Sequence, residues 1–323
     1  MRLPARMLPL TLGIVSVGMV AACAAPATSH GSRPAHTPAA TASPTRVAVT
    51  PSPRPSASPQ IKTAGAPGGV KAKGAVLADA STGQVLWARQ ATRQRPMASV
   101  TKVMTALLVL QSGDLGQKIK VPKAAFTYAW KYGGETASLH PGDMLTARQL
   151  LVALLLPSGA DAAYTLASTY GPGLTAFVAR MNATAARMGM TQTHFTSPDG
   201  LPYPTEHSTY STPMDLLTLG LAAMRYPAFR SIVDQRFYHL PKGPGHHSYW
   251  WDNTDDLIGE YPGAVGLKDG YTDDAGHCLL FEAIRNGRKL IGVVLDSPAT
   301  GPDAGAQDAA KMLNWGFQLH AAN

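Results

Sequence analysis

The chain has 323 residues, which is enough for one sizeable hydrophobic core, and it carries 28 basic and 20 acidic residues for a formal net charge of +8. Six of the basic residues, but none of the acidic ones, lie in residues 1–70, so 22 basic residues face 20 acidic ones in the rest. The greater part of the chain is therefore nearly neutral, which argues against nucleic acid as a partner, because binding to a polyanion needs a basic surface.

The first 22 residues have the pattern of a secretory signal peptide. Arg2 and Arg6 precede an uncharged, mostly apolar stretch, residues 7–22, which is too short for an ordinary membrane span. The stretch ends in Val-Ala-Ala before Cys23, which resembles the cleavage box of bacterial lipoproteins with valine in place of the usual leucine. We therefore expect export, with Cys23 lipidated and the protein held at the outer face of the cytoplasmic membrane. Ordinary cleavage near Cys23, which would release the protein into the cell wall or the medium, stays open.

Residues 23–70 have the composition of a tether. They hold nine prolines, no aromatic residue, and many alanines, serines and threonines. Such a segment cannot bury enough apolar surface to offset the entropy lost on ordering, so we expect an extended, solvated and disordered linker. The folded domain is then expected to span residues 71–323.

Strand patterns lie at both ends of this domain. The apolar runs 75–78 and 85–88 flank a Ser-Thr-Gly turn, which predicts a hairpin. Near the other end, the runs 277–284 and 289–295 are joined through Asn286-Gly287, the strongest short-range signal for a hairpin. The N- and C-terminal strands are therefore expected to pair in one mostly antiparallel sheet.

Between the strand regions the apolar residues follow helical spacing, with Pro or Gly near the ends of most of the segments. The pattern predicts helices over residues 99–111, 147–156, 161–170, 174–188 and 213–225, with another closing the chain at 308–319. Strands at both ends with helices between them indicate an α+β fold in which helices flank the sheet.

Ser99 and Lys102 open the first of these helices, where a spacing of three places both side chains on one face. A serine hydroxyl is a poor nucleophile until a base takes its proton, and a lysine can be that base if burial and a nearby positive charge lower its pKa. Free backbone N–H groups at the helix start could also stabilise an oxyanion. The pattern Ser-x-x-Lys also occurs by chance, as a serine that caps a helix and a lysine on the surface. Here Lys102 lies among apolar residues, which favours the catalytic interpretation.

Two later motifs add polar groups to this pair. Ser158 follows Pro157 at a corner between two apolar helices, where its hydroxyl either enters a cleft or caps the second helix. Lys268 lies between Gly266 and Gly270 on a predicted strand, which would let a ligand approach the backbone beside a fixed cation. The three motifs in this order are far more specific than any one of them.

The order Ser-x-x-Lys, serine corner, Lys-x-Gly resembles that of penicillin-binding proteins and serine β-lactamases. Residues 99–106, 158–163, 199–201 and 266–272 look like the low-molecular-weight penicillin-binding proteins that are serine-type D-alanyl-D-alanine carboxypeptidases. The resemblance covers residues 71–323 and implies a β-lactamase/transpeptidase-like fold with an inserted helical subdomain. It also implies hydrolysis of peptidoglycan stem peptides without a metal or organic cofactor, and β-lactams as covalent inhibitors.

By this resemblance, Ser99 attacks the carbonyl between the two D-alanines and Lys102 accepts its proton. Ser158 relays a proton to the leaving D-alanine, and water then hydrolyses the acyl-enzyme.

The substrate-binding residues implied by the resemblance lie on the last motif. Lys268, beside Gly270, holds the terminal carboxylate of the substrate and helps to keep the first lysine neutral. The backbone N–H groups of Tyr271 and Ser99 form the oxyanion hole.

The sequence departs from the family pattern at three positions. Ala160 replaces an asparagine, which removes an amide able to both donate and accept hydrogen bonds. Asp269 replaces the threonine of Lys-Thr-Gly, and an ionised carboxylate there would repel the substrate carboxylate unless strand alternation turns it away from the cleft. Asp296 stands near the end of the last strand, where an arginine is familiar.

Two other functions stay open. A β-lactamase shares the three motifs but needs fast deacylation. A non-catalytic wall-binding or sensing lipoprotein would keep the fold while Ala160 and Asp269 disable turnover.

Other features have structural interpretations. Cys278 begins the apolar run 278–281 and is expected to be a buried strand residue, and Trp250 and Trp251 are expected in the core. His246-His247 lies in a Gly/Pro-rich loop without zinc-type partner spacing, so no metal site is predicted.

Overall fold

The computed structural model describes residues 65–205, 207–298, 301 and 303–319. The strands, in chain order, are β1 (Gly74–Asp79), β2 (Val85–Arg89), β3 (Arg95–Pro96), β4 (Lys118–Lys120), β5 (Met144–Thr146), β6 (Tyr210–Ser211), β7 (Phe237–Leu240), β8 (Tyr249–Asp252), β9 (Ala264–Thr272), β10 (Gly276–Arg285) and β11 (Arg288–Ser297). Five of them form an antiparallel sheet in the order β2-β1-β11-β10-β9, and the rest form two-stranded pairs.

The sheet joins the two ends of the domain, as the sequence predicts. β1 pairs with β11 from Gly74 opposite Leu295 to Asp79 opposite Leu290. The turn between β10 and β11 has Asn286 at φ 50° and Gly287 at φ 77°. Both residues are thus in the left-handed region that a two-residue hairpin turn requires, which is why Asn-Gly indicates it so well.

The helices confirm all six predicted segments within a few residues at each end. They are α1 (Lys102–Leu110), α2 (Lys123–Lys131), α3 (Ala147–Leu155), α4 (Ala160–Tyr170), α5 (Leu174–Arg187), α6 (Pro213–Ala223), α7 (Pro227–Val233) and α8 (Ala304–Gln318). Helices α2 and α7 were not predicted: α2 buries only Ala125 and Ala129, so it shows little apolar periodicity, and α7 has seven residues.

The sheet separates two groups of core side chains. Leu280 of β10 belongs to a large cluster with α1, α3 and α6, whereas its neighbour Leu279 belongs to a smaller cluster that includes Met312 and Leu313 of α8. Successive strand residues thus face opposite layers, with α8 on one side and α1 and α6 on the other. Helices α1–α7 all lie between β2 and β9 in the chain, which confirms the α+β fold with helices inserted between the terminal strands.

The start of the domain is fastened to α8. The buried carboxylate of Asp308 accepts hydrogen bonds from the backbone N–H groups of Lys71 (3.0 Å) and Ala72 (2.6 Å) and from the hydroxyl of Ser297 (3.0 Å). The Asp308 side chain therefore links three parts of the domain: helix α8, the end of β11, and the segment that precedes β1.

Several expectations concern single residues. The signal peptide, Cys23 and most of the tether lie outside the described residues, and within those that are described no helix is both long and apolar enough to span a membrane. Cys278 is buried on β10, as predicted. Trp251 is buried and donates to the carbonyl of Ala137 (2.8 Å), but Trp250 is 57% exposed, so the core prediction was wrong for that residue. The two tryptophans are neighbours on β8, and strand alternation sends their side chains to opposite faces.

Candidate active site

Ser99 lies in a single 3₁₀ turn, Ala98–Thr101, that leads directly into α1. The turn is anchored by buried Met97 and Val100, while Ser99 itself is only partly buried and stays accessible. The sequence placed a helix start here; the structure shows that the regular α-helix begins three residues later, at Lys102.

Lys102 is buried and its ammonium group contacts the candidate nucleophile. Its Nζ lies 2.8 Å from Ser99 Oγ and donates to the backbone carbonyl of Asp199 at 3.0 Å. Burial lowers the pKa of Lys102 to about 8, the nearby Lys268 ammonium acts in the same direction, and the negative charge of Asp199 opposes them. Both causes expected from the sequence, burial and a nearby cation, thus act on this lysine.

Ser158 lies at the corner between α3 and α4, with φ 63°. Its hydroxyl is buried and has no hydrogen-bond partner among the described residues, and the N-cap of α4 is Gly159, so the capping interpretation was wrong. A buried hydroxyl without a partner costs about 1–3 kcal/mol, which makes Ser158 a candidate for a contact completed by substrate. Gly159 is required beside it, because a Cβ there would lie 2.7 Å from the carbonyl oxygen of Ala153.

Gly270 brings strand β9 against the turn that carries the nucleophile. A Cβ at this position would lie 2.7 Å from the backbone nitrogen of Ser99 and 3.2 Å from that of Val100, so only glycine permits this approach. Because β9 is an edge strand, alternate N–H groups point away from β10 and are available to a ligand. Tyr271 follows directly, with a half-exposed side chain.

Lys268 is fully buried and already paired. Its ammonium contacts the Asp269 carboxylate and lies 3.3 Å from Thr254 Oγ1, which in turn lies 2.7 Å from Asp269 Oδ1. The backbone N–H of Thr254 donates to the carbonyl of Leu156 (3.1 Å), close to the Ser158 corner, so this residue links the second and third motifs.

The Asp269 carboxylate is not turned away from Lys268, contrary to one of the two possibilities raised by the sequence. In register Asp269 lies opposite Leu279, on the α8 side, and Lys268 lies opposite Leu280, on the other side. Because β9 is the edge of the sheet, both side chains can bend around it and meet. Asp296, the third departure, forms ion pairs with Arg95 (2.9 Å) and Lys73 (3.1 Å).

Three contributors to this site were not assigned a role from the sequence. Asp199 supplies the carbonyl that receives the Lys102 ammonium, and Gly200 packs against the Ser99 turn. Asp-Gly is a turn signal that could have singled them out. Thr254 carried no such signal, because only the folded chain brings its loop to β9.

Gly200→Ala is expected to disrupt the Ser99 turn. Gly200 has φ 86°, and a Cβ there would lie 1.9 Å from the carbonyl oxygen of Ala98 and 2.7 Å from Thr101 Oγ1. Gly189 offers a matched control, since its φ is 78° but a Cβ would meet nothing within 4 Å. We expect the Gly200 variant to melt about 4–8 °C below Gly189→Ala in a circular-dichroism thermal scan, because steric overlap is added to the same backbone strain. Equal melting temperatures would contradict this packing.

Among the described residues, the side chains that come within metal-ligand reach of one another are His140, Asp143 and His247. Asp143 accepts from the backbone N–H of His247 (2.8 Å) and from Tyr249, and the His140 and His247 rings stack with centroids 4.0 Å apart. These contacts account for the cluster as a link between β5 and β8. The His247 side chain thus contacts Asp143 and His140, which lie in a loop distant in sequence.

Comparison with known proteins matches residues 60–299 to the peptidase S11 family, described as D-alanyl-D-alanine carboxypeptidase. A D-alanyl-D-alanine carboxypeptidase of Streptomyces sp. strain K15 is 37% identical over 262 residues, covering 77% of this chain and 88% of the relative. Another, from Mycobacterium tuberculosis, is 40% identical over 76% of this chain and 82% of its own length. The crystal structure of the Streptomyces K15 DD-transpeptidase superposes with a TM-score of 0.72 at 36% identity, covering 77% of this chain and 98% of that one.

Proposed function

Because this chain belongs to the D-alanyl-D-alanine carboxypeptidase family, we propose that it cleaves the terminal D-Ala–D-Ala bond of peptidoglycan stem peptides through an acyl-enzyme on Ser99. The observation that carries this assignment of roles is the 2.8 Å contact between Ser99 Oγ and the buried amine of Lys102. It places a nucleophile beside a base whose pKa is lowered to about 8.

The neutral form of Lys102 takes the proton of Ser99 as the hydroxyl attacks the scissile carbonyl. With a pKa of about 8, about a tenth of the lysine is neutral at pH 7, whereas an ordinary lysine would be almost wholly charged. The carbonyl of Asp199 orients the amine, because it accepts one of the N–H bonds and leaves the lone pair available to Ser99. Burial therefore lowers the pKa of Lys102 enough for it to act as a base, and the 3₁₀ turn places it beside Ser99.

The remaining motif residues complete the reaction. The oxyanion accepts hydrogen bonds from the backbone N–H groups of Ser99 and Tyr271, which Gly270 allows to approach each other. Ser158, whose hydroxyl is buried without a partner, passes a proton to the leaving D-alanine. Water then attacks the acyl-enzyme and restores the Ser99 hydroxyl. Lys268 contributes a positive charge that favours the neutral form of Lys102.

The amino-terminal segment supports a proposal about location. A family that acts on cell-wall peptides needs an exported enzyme, and residues 1–22 have the composition of a signal peptide. We infer that Cys23 is lipidated and that residues 23–70 tether the domain to the outer face of the cytoplasmic membrane. Labelling with a fatty acid that is lost in Cys23→Ser would support this anchor.

The direct test is the release of D-alanine by the purified full chain from diacetyl-L-Lys-D-Ala-D-Ala, with nitrocefin hydrolysis measured in parallel. D-alanine release with slow nitrocefin turnover is expected. Rapid nitrocefin hydrolysis without D-alanine release would instead establish a β-lactamase. Inactivity towards both compounds would favour the non-catalytic wall-binding lipoprotein.

A further inference from the structure

The cation that the family resemblance assigns to the substrate carboxylate is not free in this protein. The Lys268 side chain is fully buried, and its ammonium is occupied by the Asp269 carboxylate and Thr254 Oγ1. The Asp269 side chain, by contrast, is about a third exposed. A ligand that approaches this edge of β9 therefore meets a carboxylate before it meets the ammonium.

Asp269 is ionised under ordinary conditions. Burial alone would raise its pKa, but the Lys268 charge and the hydrogen bonds from Lys268 and Thr254 outweigh burial and hold the pKa below its usual value. Thr254 and Lys268 both contact Oδ1, so Oδ2 has no side-chain donor among the residues that the structure describes. This anionic oxygen is thus open to a donor from a ligand.

Two further carboxyl groups lie near Asp269. Asp255 is buried, and burial raises its pKa to about 7, with the Asp269 charge adding to the effect. Asp256 is exposed and lines the same pocket as Asp269 and Tyr271, and its pKa is raised by burial and by Asp269. Lys268 therefore has the Asp269 carboxylate beside it and the Asp255 carboxyl group nearby, so it is less able to attract another carboxylate from the substrate.

We propose that the Lys268–Asp269 pair makes this pocket select substrates whose leaving residue ends in a neutral carboxamide over those that end in a free carboxylate. This inference rests on the proposed function, since it concerns the leaving-group side of the same site. A carboxamide N–H can donate to Asp269 Oδ2 while its carbonyl accepts from the outer-edge N–H groups of β9; a carboxylate can only accept. The products are then the acyl peptide, after hydrolysis, and an amidated D-amino acid.

The test compares two peptides that share the scissile bond, diacetyl-L-Lys-D-Ala-D-Ala and its C-terminal amide, with the purified full chain. The measured quantity is the ratio of kcat/KM for the amide to that for the acid. We expect a ratio above one for the natural chain and a fall of at least about tenfold in Asp269→Thr, because an ionised neighbour repels the carboxylate through a medium of moderate dielectric constant. Asp269→Asn, which keeps the size of the side chain, should show the same fall. Glu260→Gln is the matched control and should change the ratio less than about twofold, since this exposed carboxylate does not line the pocket and its charge is strongly screened.

A second measurement does not depend on turnover. The rate at which Ser99 is acylated is measured by intact mass with benzylpenicillin, which carries a carboxylate, and with its neutral methyl ester. In the natural chain, acylation by the methyl ester should be favoured over acylation by benzylpenicillin. A reversal of this preference in Asp269→Thr would support the proposal. Peptide and penicillin ratios that are equal in the natural chain and Asp269→Thr would overturn it while leaving the carboxypeptidase assignment intact. No turnover and no acylation by any of the four compounds would overturn the proposed function and this inference with it.

Discussion

Ser99→Ala is expected to abolish covalent modification by benzylpenicillin. In the natural chain, intact-mass analysis should show one adduct with the mass of the whole antibiotic, since ring opening expels no fragment. The alanine variant should show none, and its rate of D-alanine release should fall by at least about 10⁴-fold, because removal of a nucleophile leaves only binding and oxyanion contacts to catalyse the reaction.

The variant should keep the fold. Ser99 is only partly buried, and its hydroxyl has Lys102 as its described hydrogen-bond partner. Its melting temperature is therefore expected to lie within a few degrees of the natural value. Ser81→Ala, at an exposed hairpin position, is the matched control and should retain the adduct. An adduct of unchanged yield in Ser99→Ala, or one mapped by peptide digestion to another residue, would refute the assignment of the nucleophile.

Lys102→Met is expected to slow acylation of Ser99 by about 10²–10⁴-fold, the usual contribution of a general base. Methionine has a similar length and suits the apolar surroundings of this buried position, so the fold should persist. The measurement is the rate of adduct formation across a pH series, with circular dichroism to check the fold.

The pH dependence separates a base from a merely structural lysine. The reactive form is the neutral amine, and burial lowers the pKa of Lys102 to about 8. The acylation rate of the natural chain should therefore rise about tenfold per pH unit below 8 and level off above it. In Lys102→Met this rise should disappear. A variant that is slower but keeps the same pH profile would show that another group is the base.

Local patterns predicted the parts of the site that local geometry determines. The three-residue spacing of Ser99 and Lys102 brings the two side chains into contact within one turn. The apolar neighbours of Lys102 in the sequence predicted its burial. The Asn286-Gly287 turn was equally predictable, since its two left-handed residues are a property of the dipeptide. In each case the determining interactions lie within a few residues of one another.

The remaining features depend on distant segments. Whether Asp269 faced or avoided Lys268 could not be decided from alternation alone, because that depends on β9 being an edge strand and on Thr254 arriving from another loop. The close approach of Gly200 to Ala98 joins segments about a hundred positions apart, so no local pattern reveals it. The exposure of Trp250 likewise depends on which face of β8 packs against the core, and the surrounding fold decides that.

The attachment of Lys71 and Ala72 to Asp308 bears on how the domain carries mechanical load. Tension applied to the chain ahead of residue 65 enters through these two residues and passes into β1. β1 is hydrogen-bonded along both edges, to β2 and β11, so a pull along the strand loads two ladders of bonds in shear rather than opening one bond after another. A domain held by its amino terminus would thus resist being unfolded from the strand through which the load enters.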